Sequence, residues 1–255
     1  MPDPVGRIEV DLTGQTALVT GASGLGAHFA KVLARAGANV IVGSRRAEAL
    51  AQLQEQIASE GGQCRAVSLD VTSAGSIAAA TDAITEVDIL VNNAGIAREG
   101  QLLDLTEEDW DLVVDTNAKG IFLMTQAVAR TMRARGAGGS IINIASILGL
   151  RQGGMLASYT ASKAAAIQFT KVSALELARY GIRVNAIAPG YFATDINAGF
   201  FESSAGAAML RRIPQRRLGA LEDLDGPLLL LASNASAYMT GSIIEVDGGH
   251  LVSTL

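Results

Sequence analysis

The sequence predicts an α/β fold, in which one doubly wound parallel sheet of about seven strands carries helices on both faces. Short apolar runs typical of buried strands alternate along the chain with longer segments typical of helices. Hydrophobic residues make up 49% of the chain and charged residues 18%, an apolar excess that suits a sheet covered on both faces. A single domain, residues 1–255, accounts for the length.

The first predicted strand and helix are joined by a cluster of glycines. An apolar run at 16–20 predicts the strand, and the amphipathic segment after it predicts a helix that ends at Gly37. Gly21, Gly24 and Gly26 would let the backbone pass close to a diphosphate at the positive end of this helix. The unit therefore predicts a Rossmann-like nucleotide-binding fold, although a plain glycine turn is the alternative.

The end of the second predicted strand, at 39–43, bears on which dinucleotide would bind. Ser44 stands where an acid would hydrogen-bond the adenosine ribose hydroxyls, and Arg45 and Arg46 follow it. A small polar residue followed by arginines favours a ribose phosphate over free hydroxyls. The alternative is that these arginines begin the next helix in solvent.

The remaining segments continue the same alternation. Each apolar run bounded by turn residues predicts a strand, and each segment with a helical pattern predicts a helix that packs against one face of the sheet. A run of acids after Thr106 suits the positive end of a helix, with Thr106 as its cap. Helices are predicted at 48–60, after 71, after 106, at 157–180 and at 222–232, and strands at 65–69, 89–92, 140–146, 183–188 and 242–246.

The stretch 146–163 carries residues suited to a proton transfer. Tyr159 and Lys163 stand four apart in the predicted helix and therefore share one of its faces. A free phenol has a pKa of about 10, and a nearby ammonium in a partly desolvated cleft could lower it toward neutrality. Ser146 ends a buried strand, where open α/β sheets place their chemistry. A solvated surface contact between tyrosine and lysine is the alternative.

Together these motifs resemble those of the short-chain dehydrogenase/reductase family, and they span nearly the whole chain in order. The glycine loop departs from the family pattern because it is one residue short, with Ala22 and Ser23 alone between its first two glycines. The spacing of Gly21, Gly24 and Ala27 instead resembles that of the family's larger members. The motifs that carry the resemblance are 20–26, 92–95, Asn117, Ser146, Tyr159 with Lys163, and Pro189-Gly190 followed by Thr194.

The resemblance implies an NAD(P)-dependent oxidoreductase of the carbonyl reductase or alcohol dehydrogenase type. Such an enzyme moves a hydride between the dinucleotide and a carbonyl or alcohol carbon, for example that of a ketone or a 3-oxoacyl compound. The resemblance makes Tyr159 the general acid/base and Ser146 the residue that orients the substrate oxygen. Lys163 would lower the pKa of the phenol and hold the nicotinamide ribose, and Asn117 would support a proton relay.

The residues at the end of the second strand predict that NADP(H) is preferred and that NAD(H) is possible. The resemblance places the adenine near Asp70 and the nicotinamide carboxamide near Phe192 and Thr194. The expected contacts to the dinucleotide are Gly21, Ser23, Gly24, Leu25, Gly26, Ser44, Arg45, Asp70, Val71, Asn93, Ala94, Gly95, Tyr159, Lys163, Pro189, Gly190, Phe192 and Thr194.

Several predictions concern partners and rival classes. We expect a small-molecule substrate, a homotetramer by resemblance, and a mobile lid in the aperiodic segment 195–218. Arg133, Arg135 and Arg179 could meet an acidic acyl carrier protein, although surface arginines are more often only solvated. A non-catalytic dinucleotide sensor remains an alternative, but a sensor has no need of the predicted catalytic residues. A nucleotide-sugar epimerase or dehydratase is disfavoured because only 92 residues follow Lys163.

Composition argues against other classes of protein. A net charge of −5 makes nucleic acid an improbable partner, and no run approaches the roughly 20 apolar residues of a membrane helix. Cys64 is the single cysteine, which excludes an internal disulfide. With no signal-peptide pattern at the N-terminus, a cytoplasmic protein is predicted. His28 and His250 lie far apart without ligand-like neighbours, so no metal site is predicted.

Overall fold

The computed structural model describes residues 10–84, 86–193 and 204–253, and a seven-stranded parallel sheet forms its centre. The strands are β1 (Thr16–Thr20), β2 (Asn39–Ser44), β3 (Gln63–Ser68), β4 (Ile89–Asn92), β5 (Gly139–Ile144), β6 (Ile182–Pro189) and β7 (Ile243–Val246). They lie side by side in the order β3-β2-β1-β4-β5-β6-β7. This arrangement confirms the predicted doubly wound, Rossmann-like sheet.

Helices connect the strands and cover both faces of the sheet. Most of them lie within a few residues of the predicted segments, because their amphipathic periods and caps are local features of the sequence. The α-helices in the described part of the chain are α1 (Leu25–Arg35), α2 (Ala47–Ser59), α3 (Ala74–Ala83), α4 (Glu107–Val114), α5 (Gly120–Arg135), α6 (Ala157–Leu177), α7 (Ser204–Leu210) and α8 (Asp225–Ala232).

Two hydrophobic clusters hold these helices against the sheet. On one face, α1, α2 and α8 contribute to a cluster that includes Phe29, Leu53 and Leu228. On the other face, α3 and α5 contribute to a cluster that includes Ile77 and Met124. Burial of apolar side chains on both sides of the strands accounts for the high hydrophobic content of the sequence.

Two helix ends differ from the sequence prediction for physical reasons. The helix predicted at 222–232 starts as a 3₁₀ turn at Leu221–Leu224, and Pro227 falls in the first turn of α8, where its missing N–H is not needed. The helix predicted to run to Gly181 changes into a 3₁₀ turn at Ala178–Tyr180. Gly181 then ends it in the left-handed region, with φ of 71°.

Part of the predicted lid lies outside the described residues. Of the predicted lid at 195–218, residues 195–203 are not described, and neither is Thr194 before it. The described chain resumes with α7 at Ser204. The lid therefore stays a prediction. Within the ranges described, no helix is both long and apolar enough to cross a membrane.

A buried polar network fixes the centre of the sheet to two helices. Asn92 Nδ2, at the end of β4, donates to Asn143 Oδ1 of β5 at 2.8 Å and to Thr125 Oγ1 of α5 at 3.0 Å. Asn143 Nδ2 in turn donates to Thr170 Oγ1 of α6 at 2.9 Å. All four residues are at most 3% exposed. The network therefore sets the positions of α5 and α6 relative to the strand ends.

We expect Asn143→Ala to lower the free energy of unfolding by about 1 to 3 kcal/mol, because buried polar groups on Asn92 and Thr170 would lose their partner. Urea unfolding followed by circular dichroism measures this change. Asn234→Ala is the control, since Asn234 is an exposed asparagine. Equal stability of the two variants would contradict the structural role of the network.

Candidate active site

The carboxyl ends of β1, β4, β5 and β6 bring the predicted site residues to one edge of the sheet. Chain order reverses between β1 and β4, where the connections leave the sheet in opposite directions. In doubly wound sheets, a crevice at this reversal binds ligands. The glycine loop follows β1, Asn93 follows β4, and Ser146 follows β5 closely.

The glycine loop makes close contacts that require small residues. Gly21 and Gly24 have φ of 95° and 53°, in the left-handed region that favours glycine. A Cβ added to Gly26 would lie 2.3 Å from the Gly21 carbonyl oxygen and 2.5 Å from Asn93 Nδ2. The loop therefore has no room for larger residues at Gly26. The helix α1 begins at Leu25, and no side chain caps its first amides. Amides of this kind at a helix start suit a diphosphate.

The glycine loop is held against the segment after β4. Thr20 Oγ1 accepts hydrogen bonds from the amides of Asn93 at 3.0 Å and Ala94 at 2.9 Å. Asn93 Nδ2 donates to the Thr20 carbonyl at 2.9 Å. These contacts bring two of the predicted cofactor segments, Gly21 to Gly26 and Asn93 to Gly95, into one continuous wall.

The predicted adenosine end contains a contact that the sequence analysis did not assign. Arg46 donates a hydrogen bond from its guanidinium to Ser23 Oγ in the glycine loop. Its backbone amide donates to Ser44 Oγ at 3.2 Å. The sequence shows an arginine at position 46, but it does not show that this side chain contacts Ser23. That contact depends on the direction in which the chain leaves β2 after Ser44. Two arginines therefore border this pocket instead of Arg45 alone.

Arg45 lies beside the other predicted contact of the adenosine end. Its Nη1 is 3.8 Å from Asp70 Oδ2, and 65% of its side chain is exposed. Although burial raises the pKa of Asp70, hydrogen bonds from Thr72 and the charge of Arg45 outweigh it and hold the pKa below its usual value. Asp70 is therefore a carboxylate at neutral pH. The neighbouring Val71 is buried against Gly120.

Asn117 lies in a π-helical turn, Asp115–Lys119, between α4 and α5. Its Nδ2 donates to the Ile96 carbonyl at 2.8 Å and to Ser162 Oγ at 3.0 Å, and its Oδ1 accepts from the Ile96 amide at 2.8 Å. A Cβ added to Gly95 would lie 3.1 Å from Asn117 Oδ1. Asn117 thus joins the segment after β4 to α6, and π turns of this kind are frequent at functional sites.

Ser146, Tyr159 and Lys163 converge as predicted. The hydroxyl of Ser146 accepts from the Leu148 amide at 3.1 Å and lies close enough to the phenol of Tyr159 to lower its pKa. Lys163 Nζ lies 5.6 Å from the centroid of the Tyr159 ring and donates to the Ile144 carbonyl of β5 at 2.7 Å. Only 4% of Lys163 and 7% of Ser146 is exposed. A phenol, a hydroxyl and an ammonium therefore share one desolvated pocket.

The electrostatics of this pocket differ from the sequence prediction. Burial raises the pKa of Tyr159, the hydrogen bond from Ser146 opposes that rise, and nearby Tyr191 adds to it. Burial also lowers the pKa of Lys163 to about 8. Lys163 is not among the groups that shift the pKa of the phenol here, so the expectation that it lowers this pKa stays a prediction. The phenol is protonated at neutral pH and can act as an acid.

The last predicted contacts follow β6. Gly190 allows the chain to pass the next strand, since a Cβ there would lie 2.8 Å from the Cα of Asp247. Pro189 ends β6, and Phe192 is buried and bridges to Gly219. Together with the other segments, these residues form one side of the crevice, while Thr194 lies outside the described residues.

Comparison with known proteins gives matches over nearly the whole chain. A family model described as enoyl-(acyl carrier protein) reductase matches residues 19–250. The 2-dehydro-3-deoxy-D-gluconate 5-dehydrogenase of Escherichia coli K12 is 43% identical, with 94% of this chain and 96% of that protein covered. The 3-oxoacyl-[acyl-carrier-protein] reductase of Synechocystis sp. PCC 6803 is 41% identical, with 94% and 98% covered.

A solved structure agrees with the fold. The gluconate 5-dehydrogenase of Burkholderia cenocepacia J2315, in complex with NADP and tartrate, superimposes with a TM-score of 0.91. Its sequence is 37% identical, and the match covers 96% of this chain and 98% of that one. Sequence motifs, fold and matches therefore agree that the chain belongs to the short-chain dehydrogenase/reductase family, as an NAD(P)-dependent oxidoreductase that moves a hydride between the dinucleotide and a carbonyl or alcohol carbon.

Proposed function

We propose that Tyr159 is the general acid/base of this oxidoreductase and that Ser146 orients the reacting oxygen. The observation that carries the proposal is the position of the phenol 5.6 Å from the buried ammonium of Lys163, measured from Nζ to the ring centroid, with Ser146 close enough to affect the pKa of the phenol. When the carbonyl carbon accepts a hydride, negative charge develops on its oxygen, and Tyr159 donates its proton there. In the reverse direction the same phenol oxygen receives the proton of the alcohol.

Lys163 and Asn117 support this chemistry in different ways, Lys163 through its charge and Asn117 by positioning neighbouring segments. A buried ammonium beside the developing oxyanion stabilises negative charge more strongly than it would in water. Asn117 positions α6 through Ser162 and the segment after β4 through Ile96. The dinucleotide supplies the hydride when it is bound, and the glycine loop with the wall after β4 offers the close backbone approach that a diphosphate needs.

For the substrate we propose a sugar acid or its oxo form, in place of an acyl group on a carrier protein. Both dehydrogenases described above act, by name, on gluconate-type compounds. The arginines expected to meet an acyl carrier are engaged within the chain: Arg135 Nη2 lies 2.5 Å from Asp88 Oδ1, and Arg133 and Arg179 lie over the ring of Tyr180.

NADP(H) is the preferred dinucleotide in this proposal. At the end of β2 stands Ser44, which has no carboxylate to repel a phosphate. The side chains of Arg45 and Arg46 lie beside the predicted adenosine end of the site. The contact of Arg46 with Ser23 brings a cation to the glycine loop. A ribose phosphate would therefore meet two guanidinium groups, each able to form charge-assisted hydrogen bonds.

We expect Tyr159→Phe to lower kcat for ketone reduction by about 10² to 10⁴-fold, because it removes the proton donor and little volume. Initial rates with 5-oxogluconate and NADPH measure this loss, and NADPH fluorescence should show unchanged cofactor binding. Tyr238→Phe is the control, since Tyr238 is fully exposed. If Tyr159→Phe keeps activity within a few-fold of the unmodified enzyme, the phenol is not the acid.

We expect Ser44→Asp to reverse the preference for NADP(H), because the new carboxylate repels a ribose phosphate and binds free ribose hydroxyls. The unmodified enzyme should favour NADPH over NADH by about 10 to 100-fold in kcat/KM, since hydrogen bonds to a charged group contribute about 1.5 to 3 kcal/mol. Asn39→Asp, at the exposed opposite end of β2, introduces the same charge away from the pocket. Equal kcat/KM for the two dinucleotides would contradict the assignment.

We further propose that the protein is a homo-oligomer, and a tetramer by family resemblance. Apolar side chains remain exposed on α5 and α6, where Phe122 is 41%, Val172 43% and Leu175 80% exposed. Monomers rarely leave such a patch uncovered. Light scattering should give a mass about four times that of the 26.3 kDa chain.

Leu175→Glu should shift this mass toward smaller species, because a charge at the centre of an apolar contact is costly to bury. Gln54→Glu, on the exposed side of α2, adds a charge away from the patch and should leave the mass unchanged. A monomeric unmodified protein at micromolar concentration would contradict the proposal.

A further inference from the structure

Three separate segments converge beside the catalytic phenol. Arg151 follows the turn after Ser146, Tyr191 follows β6, and His250 begins the 3₁₀ turn His250–Val252 near the C-terminus. The rings of Tyr191 and His250 lie 5.6 Å apart and tilted by 42°. Arg151 Nη1 donates to the His250 carbonyl at 2.7 Å. A cation is therefore fixed in place by the chain's C-terminal turn.

This group is electrostatically coupled to the reaction centre. Tyr191 lies close enough to Tyr159 to raise its pKa, and Arg151 lies close enough to Tyr191 to oppose the effect of burial on the pKa of that phenol. The positions agree with the topology, because β5 and β6 are paired neighbours and both segments leave their carboxyl ends. Arg151 is therefore placed at the same carboxyl edge of the sheet as Ser146 and Tyr191.

Arg151 is half-buried, and among the described residues its guanidinium has the His250 carbonyl as its hydrogen-bond partner. Among the described residues, no carboxylate lies within ion-pair distance of Arg151. Asp247, the acid nearest in sequence to His250, is already occupied, since it accepts from the amides of Gly249 at 2.8 Å and Leu251 at 2.7 Å. A desolvated guanidinium with a single carbonyl partner keeps donors for an anion.

His250 is also unusual for a residue of its burial. It is 5% exposed, and its Nδ1 has no hydrogen-bond partner in the described part of the chain. Burial lowers the pKa of His250, with the charges of Arg151 and Arg212 adding to this and Asp247 opposing it. The imidazole is therefore neutral at physiological pH and does not compete with Arg151 for an anion.

We propose that Arg151 binds a carboxylate of the substrate and that His250 positions Arg151 through its backbone carbonyl. The substrate class is then an oxo acid or hydroxy acid whose reacting carbon lies several bonds from its carboxylate, in place of a neutral alcohol. This inference rests on the proposed function, because it places the carboxylate relative to Tyr159. It makes Arg151 the residue that selects charged over neutral substrates.

Matched pairs of polyols test this selection. D-Gluconate and D-glucitol differ at one end, where a carboxylate replaces a hydroxymethyl group, and D-galactonate and D-galactitol form a second pair. With NADP⁺, Arg151→Gln should lower kcat/KM for the acids by about 10 to 100-fold, mainly through KM, because it removes a charge-assisted contact. For the neutral partner of each pair the change should stay within about twofold.

Two further variants guard against a purely structural effect. Arg151→Lys keeps the charge but loses the planar fork, and it should retain part of the preference for acids. Arg130→Gln removes an exposed arginine of α5 and should leave both members of each pair unchanged. Melting temperatures measured for all variants show whether loss of the contact with His250 has unfolded the C-terminal turn.

A binding measurement separates this inference from the proposed function. Calorimetry of D-gluconate and D-galactonate with the Tyr159→Phe enzyme and NADP⁺ reports affinity without turnover, and Arg151→Gln in that background should weaken it by about 10 to 100-fold. Equal losses for acids and neutral polyols, or acids that bind no better than their partners, would overturn the inference. Absence of hydride transfer with every ketone and polyol would instead overturn the proposed function, and calorimetry would still decide the role of Arg151.

Discussion

The hydrogen bond from Lys163 Nζ to the Ile144 carbonyl is the contact on which the arrangement of the site depends. A buried ammonium is tolerated only when its donors are satisfied, and this one ties α6 to the carboxyl end of β5. Gly149 permits the approach, because a Cβ there would lie 2.7 Å from the Lys163 backbone. With α6 so placed, Tyr159 lies against Ser146.

Small residues set the other distances in the crevice. Gly26 meets the backbone of Gly21, and Gly95 meets the side chain of Asn117, so neither wall beside the reversal point has room for an added Cβ. The glycine loop is one residue shorter than the family pattern, and α1 begins directly after Gly24, at Leu25. The missing residue shortens the turn before the helix, and the tight contact of Gly26 with the loop maintains the close packing.

Local patterns predicted most of the fold and the position of Lys163 beside Tyr159, while the catalytic roles of these residues stay a prediction. The bounds of β1 and β4 follow from apolar runs between turn residues, and the pairing of Tyr159 with Lys163 follows from helical spacing. The contact of Arg46 with Ser23 and the raised pKa of Tyr159 could not be predicted in this way. Both depend on packing and desolvation among segments far apart in the sequence, for which spacing gives no measure.

Charge is distributed unevenly between the whole protein and its crevice. The chain has a net charge of −5, which disfavours nonspecific binding of anions, yet Arg45, Arg46, Lys163 and Arg151 lie along the predicted path from the adenosine end to the far side of the phenol. Burial strengthens the field of Lys163, whereas Arg45 and Arg46 are exposed to solvent. The contacts proposed for a dinucleotide phosphate and for a substrate carboxylate both use these cations, despite the negative net charge of the chain.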